Sequence, residues 1–135
     1  NCVCCEFIPC GLAAGWLIQK QNPKFDLEER TAKFSENIII FVKQITITAV
    51  NRNIISQLLR SATSIGANYM EANGATSKRD FRNKIHICKK EAMETKYWLR
   101  LFAKANPVDQ EACRKFWKEA HELTLIFSKI ASSSK

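Results

Sequence analysis

Residues that turn a chain are scarce here: 135 residues hold four glycines and three prolines. A β-sandwich or barrel of this size needs a turn about every ten residues, and those two types supply most of them. Their scarcity excludes most all-β architectures and points to a few long helices. Acidic residues are also few. Thirteen Asp and Glu stand against 21 Lys and Arg, a formal net charge of +8, and such an excess favours phosphate or acidic partners. Long hydrophobic runs are missing as well. The apolar stretch Phe7 to Ile18 is 12 residues long and is broken by Pro9, Gly11 and Gly15, whereas a membrane span takes roughly 20. No transmembrane helix and no membrane partner are expected. With no Lys or Arg before that stretch and no small-residue cleavage site after it, a secretory signal is a poor match.

The six cysteines are unevenly placed. Cys2, Cys4, Cys5 and Cys10 crowd the first ten residues, and only Cys88 and Cys113 fall in the remainder. A disulfide lattice would spread its cysteines through the chain, so a reduced, cytoplasmic protein is expected. Cys2 and Cys5 have the gap of a zinc half-site, but no second pair or His cluster follows. No metal and no cofactor are expected.

What is present is ordinary globular composition, 46% hydrophobic and 25% charged, on a length suited to one domain. Residues 1–24 differ in composition from the rest and read as an N-terminal extension, leaving 25–135 as the domain. From Phe25 onward, apolar residues recur at helical spacing. Asp26 caps a first helix with Glu29 as its capping-box partner, and the stripe is Leu27, Phe34, Ile38, Phe41, Val42 and Ile45. The β-branched run Ile45 to Thr48 has no second strand to pair with and reads as a frayed end and loop. Asn51 or Asn53 caps a second helix that ends at Asn73-Gly74 in a left-handed cap. Ser77, with Asp80, starts a third that continues to about Ala105. Asn106-Pro107 starts a fourth that runs to about Ile130, with Ser132 to Lys135 as a frayed tail. Four amphipathic helices with short connections predict an all-α, antiparallel up-and-down four-helix bundle.

The third helix carries three arcs at about 100° per residue. Phe81, Ile85, Cys88, Ala92, Thr95, Leu99 and Phe102 form a seam toward the core. Beside it Lys78, Arg82, Lys89, Lys96 and Arg100 form a basic ridge roughly 33 Å long at 1.5 Å per residue. On the other flank Ile87, Trp98 and Leu101 are expected to be exposed in a lone bundle, and so to form a subunit contact. The second helix pairs its core stripe of Ile54, Leu58, Ala62, Ile65, Tyr69 and Ala72 with a small, polar column: Gln57, Ser61, Ser64, Asn68 and Glu71. That column reads as a hydrogen-bonded helix–helix seam, or alternatively as a binding groove lined by hydroxyls and an amide.

No catalytic constellation emerges. His86 and His121 lack a second His at helical metal spacing, and Gly66 and Gly74 are isolated rather than part of a phosphate loop. Glu91 and Glu94 lack the Glu-x-x-His partner of a di-iron bundle, so ion pairing with Arg60 or Lys90 is the simpler role. No enzyme activity is expected.

Three stretches carry a family likeness: Phe25-Asp-Leu-Glu-Glu-Arg-Thr31, Gln57-Leu-Leu-Arg-Ser-Ala-Thr-Ser-Ile-Gly-Ala-Asn-Tyr-Met-Glu-Ala72, and Lys90-Glu-Ala-Met-Glu-Thr-Lys-Tyr-Trp-Leu-Arg100. Over residues 25 to about 130 the chain resembles the bacterial four-helix-bundle family encoded in intervening sequences of 23S ribosomal RNA genes. That family is similar in fold to the accessory proteins of diversity-generating retroelements, pentameric barrels that bind nucleic acid and a reverse transcriptase. The resemblance thus implies a homo-oligomeric ring, a pentamer. Residues 78 to 104 hold nine Lys and Arg against three Asp and Glu, a net +6, so the charge excess is concentrated on one helix. The expected function is that of a non-enzymatic, oligomeric, nucleic-acid-binding accessory protein, with RNA favoured and contacts independent of sequence. No aromatic platform accompanies the ridge, which predicts structured RNA or duplex backbone as target. The alternative is a ring-forming interaction module that docks an acidic partner such as a reverse transcriptase.

Overall fold

A computed structural model describes residues 26–134. Four helices follow in order: α1 (Leu27–Lys43), α2 (Arg52–Asn73), α3 (Lys78–Ala105) and α4 (Gln110–Ser133), with a 3-10 turn at Pro107–Asp109. The described residues contain no strand, and the chain is an all-α four-helix bundle. The expected extension, with Cys2, Cys4, Cys5, Cys10 and the apolar stretch, lies outside the described residues.

Two helix starts follow the sequence closely. The Asp26 carboxylate accepts the Glu29 backbone N–H at 3.2 Å and Ser77 Oγ accepts that of Asp80 at 3.0 Å, each filling one of the donors a helix start leaves open. Four other ends differ. Asn51 precedes α2, but its side chain does not cap that helix. It is buried, accepts the Thr48 N–H at 2.7 Å and donates to Thr46 O at 3.0 Å and Asn106 Oδ1 at 3.2 Å. Asn51 therefore ties the α1–α2 loop to the α3–α4 turn at one end of the bundle. Gly74 has φ −96°, not the expected left-handed value, because its N–H closes a tight turn onto Glu71 O at 3.1 Å without reversing. Pro107 begins a 3-10 turn before α4, and α4 continues past Ile130 to Ser133.

The helices run antiparallel in sequence order. Ser61 meets Thr95 and Glu71 meets Lys84 across α2 and α3, and Thr31 meets Gly66 across α1 and α2, so partners descend on one helix as they ascend on the other. The core holds Phe34, Ile38, Leu58, Ile65, Ile85, Leu99, Phe102, Leu123 and Phe127. Each such side chain contributes on the order of 1.5–3 kcal/mol when withdrawn from water. On α2 it is Ile55, not Ile54, that is buried.

The central helix is α3, with α2 and α4 packed closely along its two sides. The fit of α1 is looser. It approaches α2 closely at Gly66, where an added Cβ would lie 3.2 Å from Thr31 Oγ1. Toward α4 it leaves a groove of about 1220 Å³. Arg30 spans that groove, its guanidinium 2.6 Å from Glu119 and 2.5 Å from Glu122, while Phe34 and Phe41 reach Phe116 across it at ring distances of 6.2 and 5.3 Å.

Candidate nucleic-acid interface

The 3.6-residue period sorts the side chains of α3 into faces. Ile85, Cys88, Ala92, Thr95, Leu99 and Phe102 are all buried, and Phe81 packs at the margin of the core. That placement decides where the neighbouring arcs point.

Ile87, Trp98 and Leu101 occupy the flank on which the sequence pattern predicts a subunit contact, and each is partly buried within the chain's own fold. Trp98 packs against the chain's own core, and its indole N–H donates to Glu94 Oε2 at 3.0 Å. The large apolar side chains of α3 that stand open are Met93 and Tyr97.

The polar column of α2 lies along α3. Ser61 is buried and accepts from Thr95 Oγ1 at 3.0 Å, while donating to Leu58 O at 3.2 Å. Ser64 donates to Arg60 O at 2.6 Å, and Asn68 Nδ2 to Ser64 O at 2.8 Å. Gln57 accepts from Arg60 Nε at 3.2 Å and Glu71 pairs with Lys84 at 3.3 Å. Arg60 also pairs with Glu91 at 3.4 Å and with Glu94. These hydroxyls and amides are engaged by helix carbonyls and by one another. No buried side-chain N or O among the described residues lacks a partner.

The ridge follows the opposite side of α3, along α4. Lys78 and Arg100 are exposed, and Arg82, Lys89 and Lys96 are half-buried. None of the five forms an ion pair with a carboxylate among the described residues, where the pairs involve Arg30, Arg60 and Lys84. Their charge is available to an external anion. Lys96 Nζ lies 5.2 Å from the centroid of the Trp117 ring and donates to His121 Nδ1 at 3.2 Å. Arg100 and Arg114, from α3 and α4, border one pocket of about 420 Å³, and Lys118 follows Arg114 one helical turn on.

The sequence pattern predicts no aromatic ring beside the ridge. Trp117 supplies one, and it comes from a different helix. Its signal in the sequence is the Trp117, His121 pair at i, i+4 among basic residues, which gains meaning only once α4 is known to lie along the ridge.

The two thiols of the described residues are unsuited to nucleophilic chemistry. Burial pushes Cys88 up to about 12 and Cys113 up to about 11, so both stay protonated. Among the described residues no group of three or more His, Cys, Asp or Glu could hold a metal ion, and no helix is long and apolar enough to cross a membrane.

The model of a family described as "23S rRNA-intervening sequence protein" matches residues 24–129. A crystal structure of a protein with unknown function from the S23 ribosomal protein family of Bacteroides thetaiotaomicron is similar to this chain. It shares 33% identity over 77% of this chain and 96% of that one, with a TM-score of 0.67. No curated protein matches.

Proposed function

The chain belongs to the 23S rRNA-intervening sequence protein family, and from that premise we propose that it is a non-enzymatic, oligomeric, nucleic-acid-binding accessory protein acting in the cytoplasm. The single observation that carries this reading is the line of five cations on α3 without carboxylate partners among the described residues, extended across the α3–α4 groove by Arg114. A column of fixed cations matches the charge of a phosphate backbone and needs no sequence-specific contact. RNA is the favoured ligand. The engaged hydroxyls of α2 and the protonated thiols support a non-enzymatic role. Exposed Met93 and Tyr97 on α3, with Ile39 and Ile40 on α1, support assembly into a homo-oligomer. By the family likeness this is a pentameric ring, akin to the accessory proteins of diversity-generating retroelements.

A rival reading keeps the ring and gives the cations to an acidic protein partner such as a reverse transcriptase. With the ring closed through Ile39 and Ile40, apolar Met93 and Tyr97, one turn apart on the same helix as the ridge, favour it, because protein interfaces combine open apolar side chains with charge. Replacing Lys89, Lys96 and Arg100 by Glu tests the nucleic-acid reading. RNA affinity should collapse with helicity intact. In the unaltered protein, five phosphate contacts predict a loss of roughly 10²- to 10³-fold between low and physiological salt. Retention of RNA by the triple variant at low salt would leave the acidic-partner reading in front.

A further inference from the structure

Trp117 is 39% exposed on α4. His121 stacks on its indole with a centroid distance of 5.2 Å and an interplanar angle of 12°. Lys96 Nζ is 5.2 Å from the same indole centroid and 3.2 Å from His121 Nδ1. Groups on opposite faces of a ring could not satisfy all three distances, so Lys96 and His121 share one side of the indole. Neither covers the other face. His121 lies one turn C-terminal to Trp117, and the pocket of about 420 Å³ between α3 and α4 lies N-terminal to it, bordered by Trp117, Arg114, Gln110 and Arg100. That volume falls within the roughly 300–1,000 Å³ of small-ligand sites. Neither arginine forms an ion pair among the described residues.

We infer that this pocket is a subsite for one unpaired nucleotide of an RNA, such as a loop or bulge base: the base stacks on the face of Trp117 turned away from Lys96 and His121 while Arg100 and Arg114 hold its flanking phosphates. Gln110 offers both a donor and an acceptor to the base edge, and Lys96 with His121 hold the indole from behind. An aromatic face set among cations suits single-stranded nucleic acid, since a paired base already has its faces stacked on neighbours. An acidic peptide would use the arginines but has no flat face for the indole. The inference rests on the reading of the ridge as a nucleic-acid surface and adds to it a preference for unpaired bases, where the ridge alone predicts none.

The test titrates the full chain with three RNA probes of equal phosphate number: a hairpin with an adenosine loop, the same hairpin with an abasic loop, and a fully paired duplex. The adenosine hairpin should bind tightest. Trp117→Ala should weaken it by roughly 5- to 150-fold, to the level of the abasic hairpin, with duplex affinity and salt dependence unchanged, and Trp117→Phe should restore most of the loss. A fluorescent purine analogue in the loop reads stacking without any substitution, and should be quenched on binding. Equal binding of all three probes by the unaltered protein would overturn the subsite while leaving the ridge reading in place. Failure to bind any probe would overturn both. Equal weakening of all three by Trp117→Ala, an unquenched analogue, or a polyglutamate peptide that competes as well as the adenosine loop would each overturn the subsite.

Discussion

Cys88 and Cys113 show what burial does to a side chain whose chemistry is otherwise reactive. Cys88 is fully enclosed, its sulfur 3.5 Å from Ile65 O, and Cys113 is nearly so. Withdrawal from water disfavours the thiolate, which pushes the two groups up from 9.0 to about 12 and about 11. Unfolded, both ionise near 9.0, so above that pH the unfolded chain binds fewer protons than the folded one. The stability tied to these thiols is fully present below pH 9.0 and is lost as pH rises toward 11 to 12, with a slope of up to about 1.4 kcal/mol per pH unit for each. Site-resolved alkylation at pH 9.0 checks the same burial: Cys88 and Cys113 should resist iodoacetamide in the folded protein and react on addition of urea. Rapid native-state modification of either would contradict their enclosure. That these two would be core residues was legible from the seam on α3 for Cys88. For Cys113 the signal is of the same kind, since it stands at helical spacing with Ala120, Leu123 and Phe127 on α4.

Among the elements, α1 depends most on a single neighbour. It touches α2 closely and reaches α4 through long side chains. The close approach is made where Gly66 faces Thr31, and Ser35 Oγ donates to Ala62 O at 3.2 Å one turn away. Gly66→Leu should therefore force α1 off α2 and cost about 1–3 kcal/mol, measured as a fall in the urea midpoint with α1 amides losing hydrogen-exchange protection first. An unchanged midpoint would show that the crossing has slack. The buried arc of α3 could be read from its period, since alternate steps of four and three leave little freedom in which residues share a face. The ends were less readable. Asn51 has the residue type of a cap and spends it on Thr46, Thr48 and Asn106 instead, a choice set by the loop it faces and not by its own helix.

At the scale of the molecule, the proposed assembly rests on the open apolar residues. Met93 and Tyr97 stand out from α3, whereas Trp98 has its ring against the core and its N–H on Glu94. Light scattering of the full chain should give a multiple of the 15.4 kDa subunit mass, and Met93→Lys with Tyr97→Lys should reduce it to folded single subunits. A single-subunit mass for the unaltered chain at all concentrations would remove the ring. Trp98→Lys should behave differently and cost about 1–3 kcal/mol of subunit stability, because it strips packing from the chain's own core. The expectation that Trp98 faces a neighbour follows from its angle on α3 alone. The core of this bundle extends further around α3 than a narrow seam, since α2 and α4 flank the helix on both sides.

The number of helices, the starts at Asp26 and Ser77, the buried arc of α3 and the line of Lys and Arg beside it can all be read from the order of the residues. Each is written in spacing within one helix, where a rise of about 1.5 Å and a turn of about 100° per residue leave no other arrangement. What lies next to that line depends on how the helices pack. Trp117, His121 and Arg114 belong to α4, and their place beside Lys96 and Arg100 depends on the rotation and register of one helix against another. Those are set jointly by Cys113, Ala120, Leu123 and Phe127 settling against the buried arc of α3. A cooperative fit of many side chains across two helices has no local signature, and it is this fit that turned a basic ridge into a groove with an aromatic face.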